Sequence, residues 1–269
     1  MNINSLIQMY QREKSSSERA NFESLYESAA DFCNPSADNI QSTRSKGQRD
    51  DAQRITDIGI KARRMFTAGM MSHLFPQGQN WIRVVTSNRE LMKNDNIVRA
   101  LTATTNKFMR AIEQSNFYEE MGQCIDHCGY IGTTALYCEP SKQNILNFRS
   151  HYINQFYFCE NYLGQVDTVI REFKLTARQA VQQFGEECPE YIQELSTDPK
   201  TSTREFTFIH IVMPREGADI SSLEKTNKKI ASIYIELKSK KLVMESGFDE
   251  MPYSVARFYK TNYEKYGRS

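Results

Sequence analysis

Cys124, His127 and Cys128 stand at i, i+3 and i+4, the spacing that puts three metal-ligating side chains on one face of a helix. Such a trio could begin a tetrahedral zinc site, which needs a fourth ligand. The sequence has no C-x-x-C or H-x-x-x-H pair elsewhere to supply one. Packing of a helix face accounts for the same residues, because free cysteine is among the most buried residue types. That reading is preferred, and no metal or cofactor is expected. His73 ends an apolar helical stripe, and His210 runs in alternation with Phe206, Phe208 and Val212 along a strand. Both read as satisfied core or interface histidines rather than general bases. Ser72 beside His73 is a pair in sequence, not a nucleophile and base in geometry. Glu186–Glu187 and Asp249–Glu250 are adjacent carboxylates, which on a regular element point different ways, so they read as solvated surface.

The motifs of common enzymes are missing. There is no G-x-x-x-x-G-K-[ST] phosphate loop, no G-x-G-x-x-G, no H-E-x-x-H and no G-x-S-x-G. A motor that hydrolyses nucleotide is expected to carry the first, so the chain reads as a non-enzyme. Basic residues offer a different chemistry. Arg44, Lys46 and Arg49 sit in a polar stretch, Arg63 and Arg64 on the polar side of a helix, and Lys238, Lys240 and Lys241 at a hairpin. Residues of this kind make backbone contacts to DNA without reading bases, although plain solvation explains each cluster as well. No recognition-helix or zinc-finger pattern suggests base reading.

The chain has 269 residues, 25% charged and 39% hydrophobic, with a formal net charge of +1. That balance is ordinary for a globular protein and gives no global field toward nucleic acid or membrane. The opening MNINSLIQMYQREK lacks the layout of a secretory signal. The longest greasy stretch, Met65 to Phe75, is shorter than the roughly 20 residues a bilayer requires. A soluble protein made inside a cell, with its six cysteines as free and mostly buried thiols, is expected. With 14 Tyr and 15 Phe, some aromatic side chains are expected to face a partner, an oligomer interface being the natural place.

These residues must be positioned by helices first and strands afterwards. Phe22, Leu25, Tyr26, Ala29, Phe32 and Cys33 form one apolar stripe that Pro35 stops. Ser15 with Glu18 resembles a capping box, which predicts a break before it. Residues 36–51 read as a surface loop. A second helix runs through Ile55, Ile58, Ala62, Met65, Phe66, Gly69 and His73, followed by a short strand Trp81–Val85. A third helix, capped by Asn94 or Asp95, turns Ile97, Val98, Leu101, Thr105, Phe108, Met109 and Ile112 inward. A fourth runs from Phe117 or Tyr118 to near Gly132 and gives way to the strand Thr133–Cys138. From there the period is 2. Strands are predicted at Ile145–Tyr152, Phe156–Glu160, Gln165–Phe173, Glu205–Met213, Ile230–Leu237, Lys241–Glu245 and Tyr253–Tyr259. A helix capped by Thr176 and Gln179 and ended by Gly185 interrupts them, with a further helical turn at Tyr191–Leu195. The class is α+β: N-terminal amphipathic helices, then an antiparallel β-sheet or small barrel.

Six of these stretches, in this order, carry a resemblance. They are the helix from Arg19 to Pro35; the segment Asp57 to Trp81 with Leu74-Phe75-Pro76; the turn Gly132-Thr-Thr-Ala-Leu-Tyr137; and the strand-to-helix segment Val169 to Gly185. Pro252-Tyr253 to Arg257 and the ending Tyr266-Gly267-Arg268-Ser269 complete the set. Together they resemble the portal, or head-to-tail connector, proteins of podovirus-type tailed bacteriophages, in their N-terminal wing region. The resemblance implies a structural subunit that forms a ring, a dodecamer, at one capsid vertex of the virion. Double-stranded DNA would be packaged and ejected through that ring without sequence specificity. The major capsid protein, the packaging terminase and tail adaptor proteins would be its partners, with no membrane involved and synthesis in the host bacterial cytoplasm.

Residues 1–140 would be the mainly helical part of the wing and 141–269 its β-rich part, with stem, clip and crown beyond Ser269. No catalytic residue is implied. The alternative reading is a tail adaptor or scaffold that binds the vertex without forming the channel. A metal-dependent nuclease is suggested only by scattered acidic residues and histidines.

Overall fold

In the structure, a computed structural model that describes residues 2–35, 40, 56–141, 144–218 and 224–269, two helices carry the N-terminal apolar pattern. They are α1 (Ile3–Lys14) and α2 (Ser17–Cys33). Asn2 caps α1 through its side-chain oxygen, which accepts the Asn4 N–H at 3.0 Å. The break falls where Ser15 and Glu18 predict it, but the capping oxygen belongs to Ser16, which accepts the Arg19 N–H at 3.2 Å. The Ser15 hydroxyl instead donates back to the Gln11 carbonyl at 2.8 Å.

Three more helices follow: α3 (Ile58–Leu74), α4 (Asp95–Glu113, capped by Asn94) and α5 (Phe117–Ile131). Next come strands β1 (Thr133–Ser141), β2 (Ile145–His151), β3 (Phe156–Glu160) and β4 (Val166–Thr176). Helices α6 (Ala177–Phe184) and α7 (Glu190–Thr197) precede β5 (Glu205–Pro214), β6 (Ile230–Glu236), β7 (Lys241–Phe248) and β8 (Tyr253–Arg257). The strands form two antiparallel sheets, ordered β2-β1-β8 and β3-β4-β5-β6-β7. The α+β class therefore holds, as open sheets rather than a closed barrel among the described residues.

The chain divides into two compact units, Met1–Glu23 with Tyr152–Tyr253, and Ser24–His151 with Ser254–Ser269. The first is built on the five-stranded meander. Period-2 alternation sends Phe206 and Phe208 of β5 to one face and Ile209 and Ile211 to the other. Leu6, Ile7 and Tyr10 of α1 join the Ile209 side; Phe184 of α6, Cys188 and Ile192 of α7 join the Phe208 side. A strand covered on both faces must be apolar nearly throughout, and β5 is buried from Phe208 to Val212. Its one polar member, His210, is satisfied: it stacks on Tyr234 with centroids 4.0 Å apart and meets Ser232 Oγ at 2.9 Å and Tyr253 OH at 3.2 Å.

The β6–β7 hairpin is held by Glu236, whose carboxylate accepts the Lys238 N–H at 2.9 Å and the Ser239 N–H at 2.6 Å. Lys240 completes this turn with φ of 53°, a left-handed conformation unusual for a residue with a side chain.

The second unit centres on α5 and the strands β1 and β2. Phe117, Ile112, Leu136 and Phe148 form its core, with Phe75 and Trp81 packed against them. Phe117 lies 5.6 Å from both Phe75 and Trp81 and 5.1 Å from Phe148, centroid to centroid. The Leu-Phe-Pro…Trp stretch thus ends helix α3 by sending its aromatic rings into this cluster.

Two expectations give way here. Trp81–Val85 is not a strand: among the described residues no ladder partner takes its backbone, and the Val84 N–H donates to Thr105 Oγ1 of α4 at 3.0 Å. Of the residues turned inward on α4, only Thr105, Met109 and Ile112 are buried, while Phe108 is 42% exposed.

Candidate functional site: a structural joint

Within the second unit, the chain's last residues close onto the α5–β1 junction. Gly132 ends α5 in the left-handed region, φ 83° and ψ −11°, with its N–H on the Cys128 carbonyl at 3.0 Å. Thr133 then opens β1. Phe258 N–H donates to the Gly132 carbonyl at 2.8 Å, and Tyr259 pairs with Arg268 through two backbone bonds of 3.1 and 2.7 Å. Gly267 is thereby pressed flat against the junction. Its N–H donates to Thr133 Oγ1 at 2.8 Å and its carbonyl accepts the Tyr26 hydroxyl at 2.6 Å. Tyr26 and Thr133 side chains meet at 3.0 Å, so the polar groups form a closed, buried ring.

Neither glycine can be replaced in place. A Cβ on Gly132 would overlap the Arg268 carbonyl carbon and reach 2.6 Å from Ser269 N, and one on Gly267 would overlap the Gly132 carbonyl oxygen.

The loop that presents Gly267 braces itself. The Arg268 guanidinium pairs with the Glu264 carboxylate, Nε at 3.0 Å, and Thr261 Oγ1 donates to the same carboxylate at 2.7 Å. These bonds, Arg268 first, hold the Glu264 carboxyl down at about 2. Tyr266 is fully buried. This arrangement fixes geometry; it presents no open face to a substrate.

A second joint lies in the first unit. Arg19, fully buried, donates to the Ile153 carbonyl at 2.6 Å and the Phe156 carbonyl at 3.4 Å, pairs with Glu23 at 2.7 Å, and sits 4.8 Å over the Tyr157 ring. The sequence reading uses Arg19 only as the start of a helix that carries the family resemblance. A signal was present: Arg19, Phe22 and Tyr26 fall at i, i+3 and i+7, which puts the guanidinium on the apolar stripe.

The residues with chemical potential are scattered. Cys124 is buried with Thr134 Oγ1 at 3.6 Å from its sulfur, and burial pushes its thiol up. Burial likewise pushes the Cys128 thiol to about 11 and the His127 imidazole down to about 4. No group of three or more His, Cys, Asp or Glu among the described residues is placed to hold a metal.

His73 is exposed on this chain, not in its core. Its ring meets Ser72 Oγ at 3.2 Å. The pair still lacks the geometry of a base, because Nδ1 lies 2.8 Å from the Gly69 carbonyl and must carry a proton to bond it. Glu186, Glu187, Asp249 and Glu250 are exposed, with Asp249 paired to Lys228 at 2.9 Å.

Of the basic residues, Arg63 is mostly buried, its Nε 3.3 Å from Asp126 and its guanidinium 5.7 Å from the Tyr130 ring. Arg64, Lys238, Lys240 and Lys241 are exposed. Arg44, Lys46 and Arg49, with the predicted loop that holds them, lie outside the described residues. Lys238 borders a cleft of about 430 Å³ in the first unit, alongside Tyr10, Lys14, Glu172 and Glu236. The two carboxylates are already committed: Glu172 to Tyr10 and Lys14, each at 2.7 Å, and Glu236 to its hairpin.

The comparisons with known proteins follow the same lines. Residues 5–269 match the family described as bacteriophage head to tail connecting protein. The chain is 27% identical over 261 residues to the "Portal protein" of Salmonella phage epsilon15, covering 94% of this chain and 46% of that protein. It is 25% identical over 256 residues to the "Probable portal protein" of Bordetella phage BPP-1, again covering 94% of this chain and 46% of the relative. The chain thus spans a little under half the length of both relatives. The match runs through both units and both joints, and the chain belongs to the bacteriophage head to tail connecting proteins.

Proposed function

We propose that this chain is a structural, non-enzymatic subunit of a portal ring, a dodecamer at one capsid vertex, through which double-stranded DNA enters and leaves. The observation that carries the reading is the family match over residues 5–269, joined to relatives named as portal proteins over 94% of the chain. On this reading the chain is the wing of the portal and a virion component, residues 1–140 forming the mainly helical part and 141–269 the β-rich part. It meets the major capsid protein and neighbouring subunits. The packaging terminase and tail adaptor proteins attach to the assembled ring, whose stem, clip and crown come from the remaining portal sequence. No helix among the described residues is long and apolar enough to cross a membrane.

Surface chemistry supports self-association. No residue of α3 is fully buried, and Ile58 and Met65, two turns apart, are 71% and 75% exposed. Phe32, 57% exposed, lies where the end of α2 abuts Gly59 of α3. Large apolar side chains exposed in this way suit a protein contact. The exposed cations Arg64, Lys238, Lys240 and Lys241, with Arg63, Arg44, Lys46 and Arg49, are the proposed contacts to DNA phosphates or to neighbouring subunits. Near-neutral overall charge keeps a sliding polyanion from being gripped.

Electron microscopy of the protein purified in its complete reading frame should show closed rings with a central hole. Particles that remain monomeric at every concentration overturn the proposal.

A further inference from the structure

Two helices, one in each unit, carry opposite charges that make no ion pair among the described residues. Helix α4 has no acidic residue between Asp95 and Glu113, and it bears Arg99, Lys107 and Arg110. At 100° per residue these three share one face, spread over roughly 16 Å of helix. All three are exposed, and among the described residues none makes an ion pair. The segment from Gln179 to Pro199 has no basic residue, and it bears Glu186, Glu187, Glu190 and Glu194 on α7 and the turn before it. These four are also exposed and also without an ion pair among the described residues.

We infer that the α4 face of one copy docks on the Glu186–Glu194 face of the next copy, and that this charge pairing sets the register of assembly. The inference rests on the ring reading above. One observation selects a second copy over a polyanion as the occupant of α4. A nucleic acid would leave the acidic face unexplained, whereas one contact between copies satisfies both faces, three cations against four carboxylates. Because the two faces differ, the contact is head-to-tail, the type that closes into a ring when the rotation allows. Opposed charges of this kind steer encounter, and the repulsion of like charges brought together rejects wrong registers.

The test is charge reversal in the protein as it assembles, read by native mass spectrometry and sedimentation velocity. Arg99→Glu with Lys107→Glu and Arg110→Glu should raise the concentration for half-assembly at least about tenfold. Glu187→Lys with Glu190→Lys and Glu194→Lys should do the same, and the six changes combined should restore assembly. Circular dichroism and unfolding midpoints near the wild type establish that the variants fold. Two triple variants that assemble like the wild type overturn the contact and leave the ring reading intact. Loss without restoration in the combined variant overturns the α7 segment as partner. An α4 variant that assembles normally but loses retention of duplex DNA assigns that face to a polyanion and overturns the inference. A wild type that never assembles overturns both readings.

Discussion

Alanine substitutions at four glycines of the second unit separate backbone strain from lack of space. Gly69 lies within α3 with no positive φ, and the methyl that alanine adds there would find nothing within 4 Å. Gly69→Ala should therefore stabilise by about 0.5–1 kcal/mol, the ordinary helix preference. Gly78 has φ of +77° and open space, so Gly78→Ala carries the left-handed cost alone, about 1 kcal/mol net. Gly267 has no positive φ, but its methyl would overlap the Gly132 carbonyl and press at 3.0 Å on Arg257 Cα. Relief requires moving the strand end away, which strips the bonds to Thr133 and Tyr26. Overpacking and two buried hydrogen bonds together cost about 3–4 kcal/mol. Gly132 combines φ of +83° with the overlap on Arg268, for about 4–5 kcal/mol by the same terms.

Trp81 is the sole tryptophan and packs in this unit's core, so its fluorescence through a urea titration reports the ranking. Gly267→Ala falling within about 1 kcal/mol of Gly78→Ala would show that the joint is loose and that the argument from close approach is wrong.

Three further outcomes follow from buried or strained groups. Arg19→Met should cost about 3–5 kcal/mol in chemical denaturation, because it strands two carbonyls and the Glu23 carboxylate; a loss under about 1 kcal/mol would mean the guanidinium bonds are weak. Lys240→Gly should stabilise by about 0.5–1 kcal/mol, since a left-handed residue with a side chain is relieved at the hairpin, and a lowered midpoint would contradict the turn geometry. His127 is held neutral down to about 4 by burial. Above the ordinary imidazole value both states are neutral and it contributes no pH dependence. As pH falls from about 6.5 toward 4 the unfolded chain binds a proton that the folded chain does not, so stability drops, by up to about 3 kcal/mol. His127→Asn should remove that component from the stability–pH curve, and an unchanged curve would refute the assignment.

Local patterns were readable and long-range ones were not. The Thr176–Gln179 capping box and the Asn94 cap are set by neighbours within a turn, and both were found where the spacing put them. The stripe Phe22–Cys33 likewise declared its helix. Trp81–Val85 has strand-like residues but no partner strand, because Thr105 of α4 takes its backbone; a strand is a property of a pair, which one segment cannot show. Arg63 looked like a polar-side cation, and only the approach of Asp126 on α5 reveals that it is mostly buried and paired. His73 reads as a core or interface histidine because it closes an apolar stripe, and the core half of that reading fails, since α3 as a whole keeps no fully buried residue. A stripe identifies a face that wants cover without saying whether the cover comes from the same chain.

The stretches that carry the family resemblance have no chemistry of their own, and their positions in the fold explain why they can nevertheless be recognised. Phe75 and Trp81 meet Phe117 in one aromatic cluster. Gly132 and Gly267, 135 positions apart in the numbering, touch so closely that neither admits a side chain, and Tyr26 bonds Gly267 across 241 positions. A residue held by such a contact is restricted by the shape of its distant partner, so the restriction appears as fixed residue types spread along the chain instead of one dense motif. An active site concentrates its demands on a few convergent groups; a load-transmitting subunit distributes them over the joints that keep its sheets and helices from shifting. The buried Arg19, the paired glycines and the aromatic cluster are demands of the second kind, which is the distribution expected of the structural role proposed for this chain.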